Sequence, residues 1–302
     1  CMPFGQLMEW VLQEKSGKDT VFGVHRPYTI NADHNLTIFE RTLETPVGPA
    51  AGPHTQLAQN IIASYYAGAR FFELKTVQKM DGAELSACVN KPCILADDEG
   101  YNCEWYTELT VPDAMSEYIK AWFILHVMAK EFNLGAQDGF QFNISVGYDL
   151  EGIKGDKVNT FIDGMMEAKD TAVFQECKKW LLDNADRFHN FTREDIEAIP
   201  SNVCNSATIS TLHGCPPQEI ESIANYLLTD KHLNTFVKCN PTLLGYDFAR
   251  KTMDEMGYDY MVFGDFHFRD DLQYVDAVPM LTRLMKLSEE LGLEFGVKIT
   301  NT

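Results

Sequence analysis

Residues 206–217 of this 302-residue chain read SATISTLHGCPP. The first part of the segment is rich in small and β-branched residues and is typical of a buried strand. The second part carries His213, Gly214 and Cys215 and ends in two prolines, which are well tolerated in the first turn of a helix. The segment therefore predicts a strand over 206–212, followed by a turn that presents Cys215.

Two other predicted strands also end in polar residues. FFELKTV at 71–77 contains Lys75, and TFVKCNPT at 235–242 contains Lys238. A lysine inside an apolar strand is costly to bury unless it has a charged or polar partner. Two such lysines and a cysteine at strand ends predict one pocket that faces an anionic or electron-rich group.

Strand-like and helix-like segments alternate along the chain, which is typical of parallel strands joined by right-handed crossovers. Six such units with polar residues at their strand ends resemble the (β/α)8 or TIM barrel, whose chemistry lies at that end. We therefore predict an α/β fold, a TIM barrel without its last two strands; the alternative is an open, doubly wound sheet. The predicted barrel strands are 45–51, 71–77, 140–147, 206–212, 235–239 and 294–300, with short strands at 36–40 and 260–264 and helices at 3–15, 56–69, 113–132, 157–199, 217–230, 247–256 and 271–292.

The predicted organisation is an N-terminal helical lead-in over 1–44 and one barrel domain over 45–302. No Gly/Ser-rich linker or internal repeat divides the second part. Because two strands are missing and the chain opens with Cys1, we expect a fragment of a longer protein.

Composition excludes several classes of function. A net charge of −19 and a pI near 4.7 argue against a nucleic-acid partner. No apolar run approaches the roughly 18–20 residues that span a bilayer, and no signal peptide is present, so a cytoplasmic protein is expected. The eight cysteines form no CxxC pair, and Cys88, Cys93 and Cys103 fit no known ligand spacing, so no metal site is predicted.

Several motifs occur in the order found in the class 1 dihydroorotate dehydrogenases. They are TPVGPAAG, ELKT, YNCEW, STLHGCP, VKCNPT and the final TNT. The flavin domain of dihydropyrimidine dehydrogenase is more similar. The N-terminal part of the large bacterial flavoproteins described as selenate reductase subunits is more similar still, through ELKTVQ, NISVGYDLEGIK, STLHGCPPQEIE, NTFVKCNPTLLGY and FGVKITNT.

This resemblance implies an FMN-dependent oxidoreductase with a dihydroorotate dehydrogenase-type barrel. It implies that the full-length protein continues into a module that carries FAD, NAD(P)H and 4Fe–4S clusters, and that other redox subunits or domains are partners. The residues that match FMN-binding positions of the family are Ala50, Ala51, Gly52, Lys75, Thr76, Asn143 and Lys238.

The resemblance also implies a substrate site for a planar purine or pyrimidine. Cys215 matches the cysteine that acts as general acid or base on the substrate carbon. The family's Asn-Leu-Ser-Cys-Pro run is replaced here by residues 211–216, TLHGCP, which makes His213 a second candidate for proton transfer. The positions expected to contact the substrate are Asn102, Thr211, Asn240, Asn301 and Thr302.

Other interpretations remain open at this stage. Cys215 could be a structural thiol before a helix, and Lys75 could form an ion pair with Glu73 or Glu104. The whole domain could be a flavin-free barrel that serves as a scaffold in a redox complex. A lyase that uses Lys238 as a Schiff base is a third alternative, which borohydride trapping would test.

Overall fold

The structure is a computed structural model of the chain, and it describes residues 1–28, 36–82, 84, 87, 109–210 and 214–299. These residues pack as two compact units. Unit 1 comprises Cys1–Ser145 and Gly155–Asn205, and unit 2 comprises Val146–Lys154 and Ser206–Thr302. The domain boundary at residue 45 stays a prediction.

Unit 1 contains an N-terminal helix, a β-hairpin, two parallel strands and covering helices. Its strands are β1 (Leu36–Ile38), β2 (Arg41–Leu43), β3 (Phe71–Glu73) and most of β4 (Gln141–Gly147). Its α-helices among the described residues are α1 (Phe4–Lys18), α2 (Ala58–Tyr66), α3 (Val111–Glu131), α5 (Asp156–Met166), α6 (Ala172–Asp183) and α7 (Arg193–Glu197), while α4 (Leu150–Lys154) belongs to unit 2.

The core of unit 1 forms around β4 and α3. Every residue of β4 is buried. This includes the apolar Phe142 and Ile144 and also the polar residues that alternate with them. Trp122 of α3 packs edge-on against Phe140 and Phe142, with ring centroids 5.2 and 5.3 Å apart. The predicted strand at 140–147 and helix at 113–132 are therefore confirmed.

The predicted strand at 45–51 is wrong, because none of these residues belongs to a strand. Pro46 and Pro49 have no N–H to donate, which limits pairing to their carbonyl groups. The carbonyl oxygen of Pro49 accepts from the Glu73 N–H at 3.2 Å. The segment thus lies beside β3, with the Val47 and Pro49 carbonyls as acceptors and the Ala51 N–H as a donor to the Glu73 carboxylate.

Unit 2 is built on three neighbouring parallel strands with helices between them. Thr208 of β5 pairs with Phe236 of β6, and Phe236 pairs with Gly296 of β7. The strands are β5 (Ser206–Ser210), β6 (Asn234–Cys239) and β7 (Phe295–Ile299), and the helices are α8 (Pro217–Asn225), which continues as a π-helical turn (Tyr226–Asp230), α9 (Tyr246–Glu255), α10 (Phe266–Asp270) and α11 (Tyr274–Leu291).

The predicted strand at 260–264 is also wrong. Val262 is 98% exposed, and residues 260–264 belong to neither of the sheets that the structure describes. The segment is an irregular loop fixed to α9 by Arg250, whose Nη2 donates to the Tyr258 carbonyl at 3.1 Å and whose guanidinium lies 4.8 Å from the Phe263 ring centre. No helix among the residues described is long and apolar enough to cross a membrane.

A buried ion pair joins distant parts of unit 1. Arg70 is 1% exposed, and its Nε donates to Glu44 at 2.8 Å. Its other nitrogens donate to the carbonyls of Tyr65, Ala69 and Leu134 at 2.9 to 3.0 Å. This arginine therefore satisfies three backbone carbonyls, from two separate segments, as well as one carboxylate.

We expect Arg70→Met to lower the free energy of unfolding by about 3–5 kcal/mol, because it leaves the Glu44 carboxylate buried without its cation. The matched control is Arg187→Met, which removes an exposed pair with Glu9 and should cost at most about 1 kcal/mol. Urea unfolding followed by tryptophan fluorescence measures both. Equal losses in the two variants would contradict the role assigned to Arg70.

His126 on α3 is a buried base without an acidic partner. Its Nε2 makes no hydrogen bond to the residues described, and its ring lies against Trp122 and Phe140, with centroids 4.5 and 5.1 Å away. Burial, with a smaller contribution from the charge of Arg41, lowers the pKa of His126 to about 3. His126 is therefore neutral in the folded protein between pH 5 and 7.

Protonation of His126 in the unfolded chain makes folding less favourable in acid. As the pH falls below about 6.5, the unfolded state takes up a proton that the folded state does not, so stability falls by about 1.4 kcal/mol per pH unit down to the folded-state pKa. We expect His126→Phe to remove this part of the slope between pH 6.5 and 5. An unchanged slope in urea unfolding would show that His126 is charged in the folded state.

Candidate active site

In unit 2 the C-terminal ends of β5 and β6 lie at the same edge of the sheet, because the two strands are parallel. Gly214 has φ +78°, a left-handed conformation that favours glycine. Cys215 follows it, and Pro217 then begins α8. The sequence of the turn thus places Cys215 between a strand end and a helix start, as predicted.

Three of the predicted site residues line one small cavity. Cys215, Lys238 and Asn240 all line it, although Cys215 precedes α8, Lys238 lies in β6 and Asn240 follows that strand. The cavity measures about 20 Å³, which is room for one water molecule. Its other lining residues are Gly214, Ile220, Thr242, Asp271 and Leu272.

Asp271 holds the two turns together and was not predicted from the sequence. Its side chain accepts hydrogen bonds from the Gly214 N–H at 3.3 Å, from the Asn240 Nδ2 at 3.3 Å and from the Thr242 hydroxyl at 2.6 Å. Asp271 is 6% exposed. The only sequence signal is an acidic pair before α11, and in a chain with 44 acidic residues that pair is not distinctive.

Cys215 differs from the other thiols that the structure describes. It is half-buried, whereas Cys177, Cys204 and Cys239 are buried and Cys1 is exposed. Burial raises the pKa of the Cys239 thiol, which makes that neighbour of Lys238 unreactive. Partial exposure beside a cavity is the setting in which a thiol can meet a small molecule.

A second group of predicted residues lies in unit 1, around the end of β3. The Ala51 N–H donates to the Glu73 carboxylate at 3.0 Å, and the Gly52 N–H donates to the Thr55 hydroxyl at 3.2 Å. A Cβ on Gly52 would lie 2.6 Å from the His54 ring, so a larger residue would require the His54 side chain to move. These contacts tie the backbone of residues 51 and 52 to Glu73 and Thr55.

Lys75, Thr76 and Asn143 are the polar members of this second group. Lys75 is 6% exposed and Asn143 is fully buried. Tyr118 donates to the Lys75 carbonyl at 3.0 Å, and the Thr76 and Ser145 hydroxyl oxygens are 2.8 Å apart. Asn143 pairs in register with Glu73, which places it beside the strand end that precedes Lys75.

The chemistry of this group fits an FMN ring. A buried ammonium and a buried amide can donate to the oxygen and nitrogen atoms at the edge of an isoalloxazine, and residues 50–52 have only small side chains.

Five predicted site residues lie outside the residues that the structure describes, namely Asn102, Thr211, His213, Asn301 and Thr302.

Comparison with known proteins identifies the fold and the family. The family described as Oxidoreductase YgfK, N-terminal TIM-barrel domain, matches residues 22–302. The chain is 45% identical, over 315 aligned positions, to the YgfK proteins of Escherichia coli K12 and O157:H7, which covers 100% of this chain and 30% of theirs. A crystal structure of ligand-free type DHODH from Eimeria tenella aligns with 96% of this chain and 80% of its own, at 11% identity and a TM-score of 0.40.

The chain is thus an α/β protein of the TIM-barrel class, as predicted, and the open doubly wound alternative is wrong. It belongs to the family of the oxidoreductase YgfK N-terminal TIM-barrel domain. It spans about 30% of the length of the curated relatives that it matches. The description as a selenate reductase subunit stays a prediction.

Asp271→Asn tests the architecture of the Cys215 cavity. We expect iodoacetamide to alkylate Cys215 several-fold faster at neutral pH, because a nearby carboxylate disfavours the thiolate and its hydrogen bonds restrain the turn. Mass spectrometry of the Cys215 peptide gives the rate. Asp270→Asn, one residue earlier at the end of α10, is the control and should leave the rate unchanged; equal rates in both variants would refute the role of Asp271.

Proposed function

We propose that this chain is the flavin-binding domain of an oxidoreductase that reduces a C=C or C=N bond of a planar purine- or pyrimidine-type heterocycle. The observation that carries the proposal is the meeting of Cys215, Lys238 and Asn240 at the strand ends of unit 2. Membership of an oxidoreductase TIM-barrel family supports the reaction class. FMN, when bound, supplies the hydride.

The residues of unit 1 would hold the flavin. Lys75 places a cation against its ring edge, and a cation there stabilises the negative charge that the ring gains on reduction. Asn143 donates from a buried amide that β4 fixes in place. The small side chains of residues 50–52 permit a flat ring to approach the backbone.

The residues of unit 2 would act on the substrate. Reduction of a double bond places a hydride on one atom and a proton on the other, and Cys215 is positioned to give that proton as a general acid. The usual cysteine pKa near 8.5 leaves most of such thiols protonated at neutral pH. The resulting thiolate recovers its proton from solvent, because Cys215 is only half-buried.

Lys238 and Asn240 would bind and orient the heterocycle beside that thiol. Lys238 attracts an electron-rich edge of the ring. The Asn240 amide, which is held by its hydrogen bond to Asp271, forms hydrogen bonds with a polar edge of the ring. His213 is a second proton donor in the proposal. Asn102, Thr211, Asn301 and Thr302 complete the proposed substrate contacts.

The electrons would come from NAD(P)H through FAD and 4Fe–4S clusters elsewhere in a longer protein. The relatives that this chain matches are long enough for such a module, since the alignment covers 30% of their length. A cysteine that protonates carbon or nitrogen suits a heterocycle and has no evident role in reducing selenate. We therefore propose a cytoplasmic heterocycle reductase with other redox domains as partners.

One observation favours a second candidate, a flavin-free scaffold in a redox complex. The Cys215 cavity, at about 20 Å³, holds one water molecule and no heterocycle unless side chains move. A scaffold would need neither a reactive thiol nor a buried lysine. The two candidates therefore differ in the effect of substituting Cys215.

The test is reoxidation of the reduced protein, at its natural length, by a panel of purines and pyrimidines. We expect at least one compound to reoxidise the wild type and Cys215→Ala to slow that step by about 10²–10⁴-fold, because the general acid is lost. Cys177→Ala removes a buried thiol of unit 1 and should leave the rate within a few-fold. Reoxidation by none of the panel, or unchanged rates in Cys215→Ala, would favour the scaffold.

A further inference from the structure

The segment that joins β6 to α11 contributes no buried residue to the core of unit 2. None of the residues 241–270, all of which the structure describes, is buried. The segment contains α9 and α10, and neither helix has a buried side chain. A helix on the surface of a globular protein normally buries one apolar face. The apolar side chains of this segment are therefore left for a contact with a partner.

These apolar side chains are of the kinds found where proteins meet. The large ones are aromatic residues and methionines that are 40–73% exposed, namely Phe248, Met256, Tyr258, Tyr260, Met261 and Phe266. Aromatic residues and methionine are enriched in protein interfaces, and groups of exposed apolar residues on a soluble protein mark such sites. The composition of the segment therefore indicates an interaction surface.

The segment holds this surface in a fixed shape. The ring of Tyr246 packs edge-on against those of Phe263 and Phe268, with centroids 5.5 Å away in both cases. At the start of the segment the Thr242 hydroxyl donates to Asp271, the residue that directly follows its end. A surface that is ordered before binding loses less conformational entropy when a partner docks.

The segment lies beside the candidate active site of unit 2. It follows the C-terminal end of β6, and Thr242 and Asp271 line the Cys215 cavity. A larger cavity of about 600 Å³ is lined by Gly214 and by residues of α10. In TIM barrels the connections that follow the strands surround the active site. A partner bound to this segment therefore lies next to the site.

The charge of the segment indicates which surface it accepts. It carries six carboxylates and three basic side chains. Each basic side chain forms an ion pair inside the segment, and the pairs are Arg250 with Asp254, Lys251 with Glu255 and Arg269 with Asp265. The other three carboxylates, Asp247, Asp259 and Asp270, are exposed. Exposed carboxylates around an apolar surface attract a partner whose rim is basic.

We propose that residues 241–270 are the docking surface for the electron-delivering part of the same longer protein, which presents an apolar face with a basic rim. The curated relatives are long enough to contain such a part, since this chain spans about 30% of their length. This inference rests on the proposed function, because it names the partner that supplies the electrons. In that transfer NAD(P)H is oxidised to NAD(P)⁺, and its two electrons reduce the flavin together with one proton from NAD(P)H and one from solvent.

Val262→Asp tests this surface in the protein at its natural length. Because Val262 is 98% exposed, the substitution should leave the fold intact, while a carboxylate inside an apolar interface is costly. We expect it to slow reduction of the flavin by NAD(P)H about tenfold or more and to leave reduction by dithionite within a few-fold. The control is Val275→Asp, at an exposed position of α11 outside the segment, which should behave as the wild type does.

Methionine oxidation by hydrogen peroxide reports docking without use of the flavin. Met256 and Met261 belong to the surface, whereas Met285 lies on α11, and the three are 45–63% exposed. We expect Val262→Asp to speed oxidation of Met256 and Met261 several-fold, because the docked partner no longer covers them. Met285 should be oxidised at the same rate in both proteins, and mass spectrometry of the three peptides gives the rates.

The outcomes separate this inference from its alternatives. Unchanged reduction by NAD(P)H in Val262→Asp overturns it, and so does an equal loss with dithionite, which would place the effect at the flavin itself. If light scattering shows that the substitution turns an oligomer into a monomer while reduction by NAD(P)H is unchanged, the occupant is a second copy of the chain. A wild type without FMN, in which Val262→Asp still uncovers Met256 and Met261, refutes the proposed function and retains the docking surface.

Discussion

The carboxylate of Asp271 is the interaction on which the unit 2 site depends. It accepts hydrogen bonds from the turn that carries Cys215 and from the turn that carries Asn240 and Thr242. The strands alone bring these turns to one edge of the sheet, but they do not fix the turns relative to each other. Asp271, Lys238 and Cys215 also line the same small cavity, and Asp271 is 6% exposed.

Unit 1 uses a comparable device at the end of β3. The Glu73 carboxylate accepts from the Ala51 N–H, and this contact keeps residues 50–52 beside the strand. The prolines of the preceding segment prevent a regular ladder, so the Glu73 side chain holds residue 51 beside β3 in place of backbone pairing. In both units an acidic side chain positions backbone next to a candidate binding group.

Much of the fold follows from local sequence pattern. The predicted strands at β4 and β6 are confirmed. Their apolar, β-branched runs and flanking turns favour a strand over a helix or a loop. The hairpin partner of β1 was missed, since its turn uses Phe39 and Glu40 at positive φ (51° and 64°) in place of the usual glycine or asparagine. Apolar residues at 260–264 predicted a strand that does not form, and this run pairs with none of the strands that the structure describes.

The site was predictable only in part, for a related reason. Lysines inside apolar strands and a cysteine at a strand end are visible in the sequence, and the structure brings Cys215, Lys238 and Asn240 together. The role of Asp271 was not predictable, because it depends on contacts between segments far apart in the chain. The same holds for the Arg70–Glu44 pair, whose partners are 26 residues apart.

The most direct test of the central claim is the visible spectrum of the purified protein at its natural length, with the released flavin identified. We expect the wild type to contain bound FMN. We expect Lys75→Met to retain at least about tenfold less FMN, and Lys18→Met, at the exposed end of α1, to retain as much as the wild type. A folded protein that contains no FMN, or FMN binding that is indifferent to Lys75, would contradict the account.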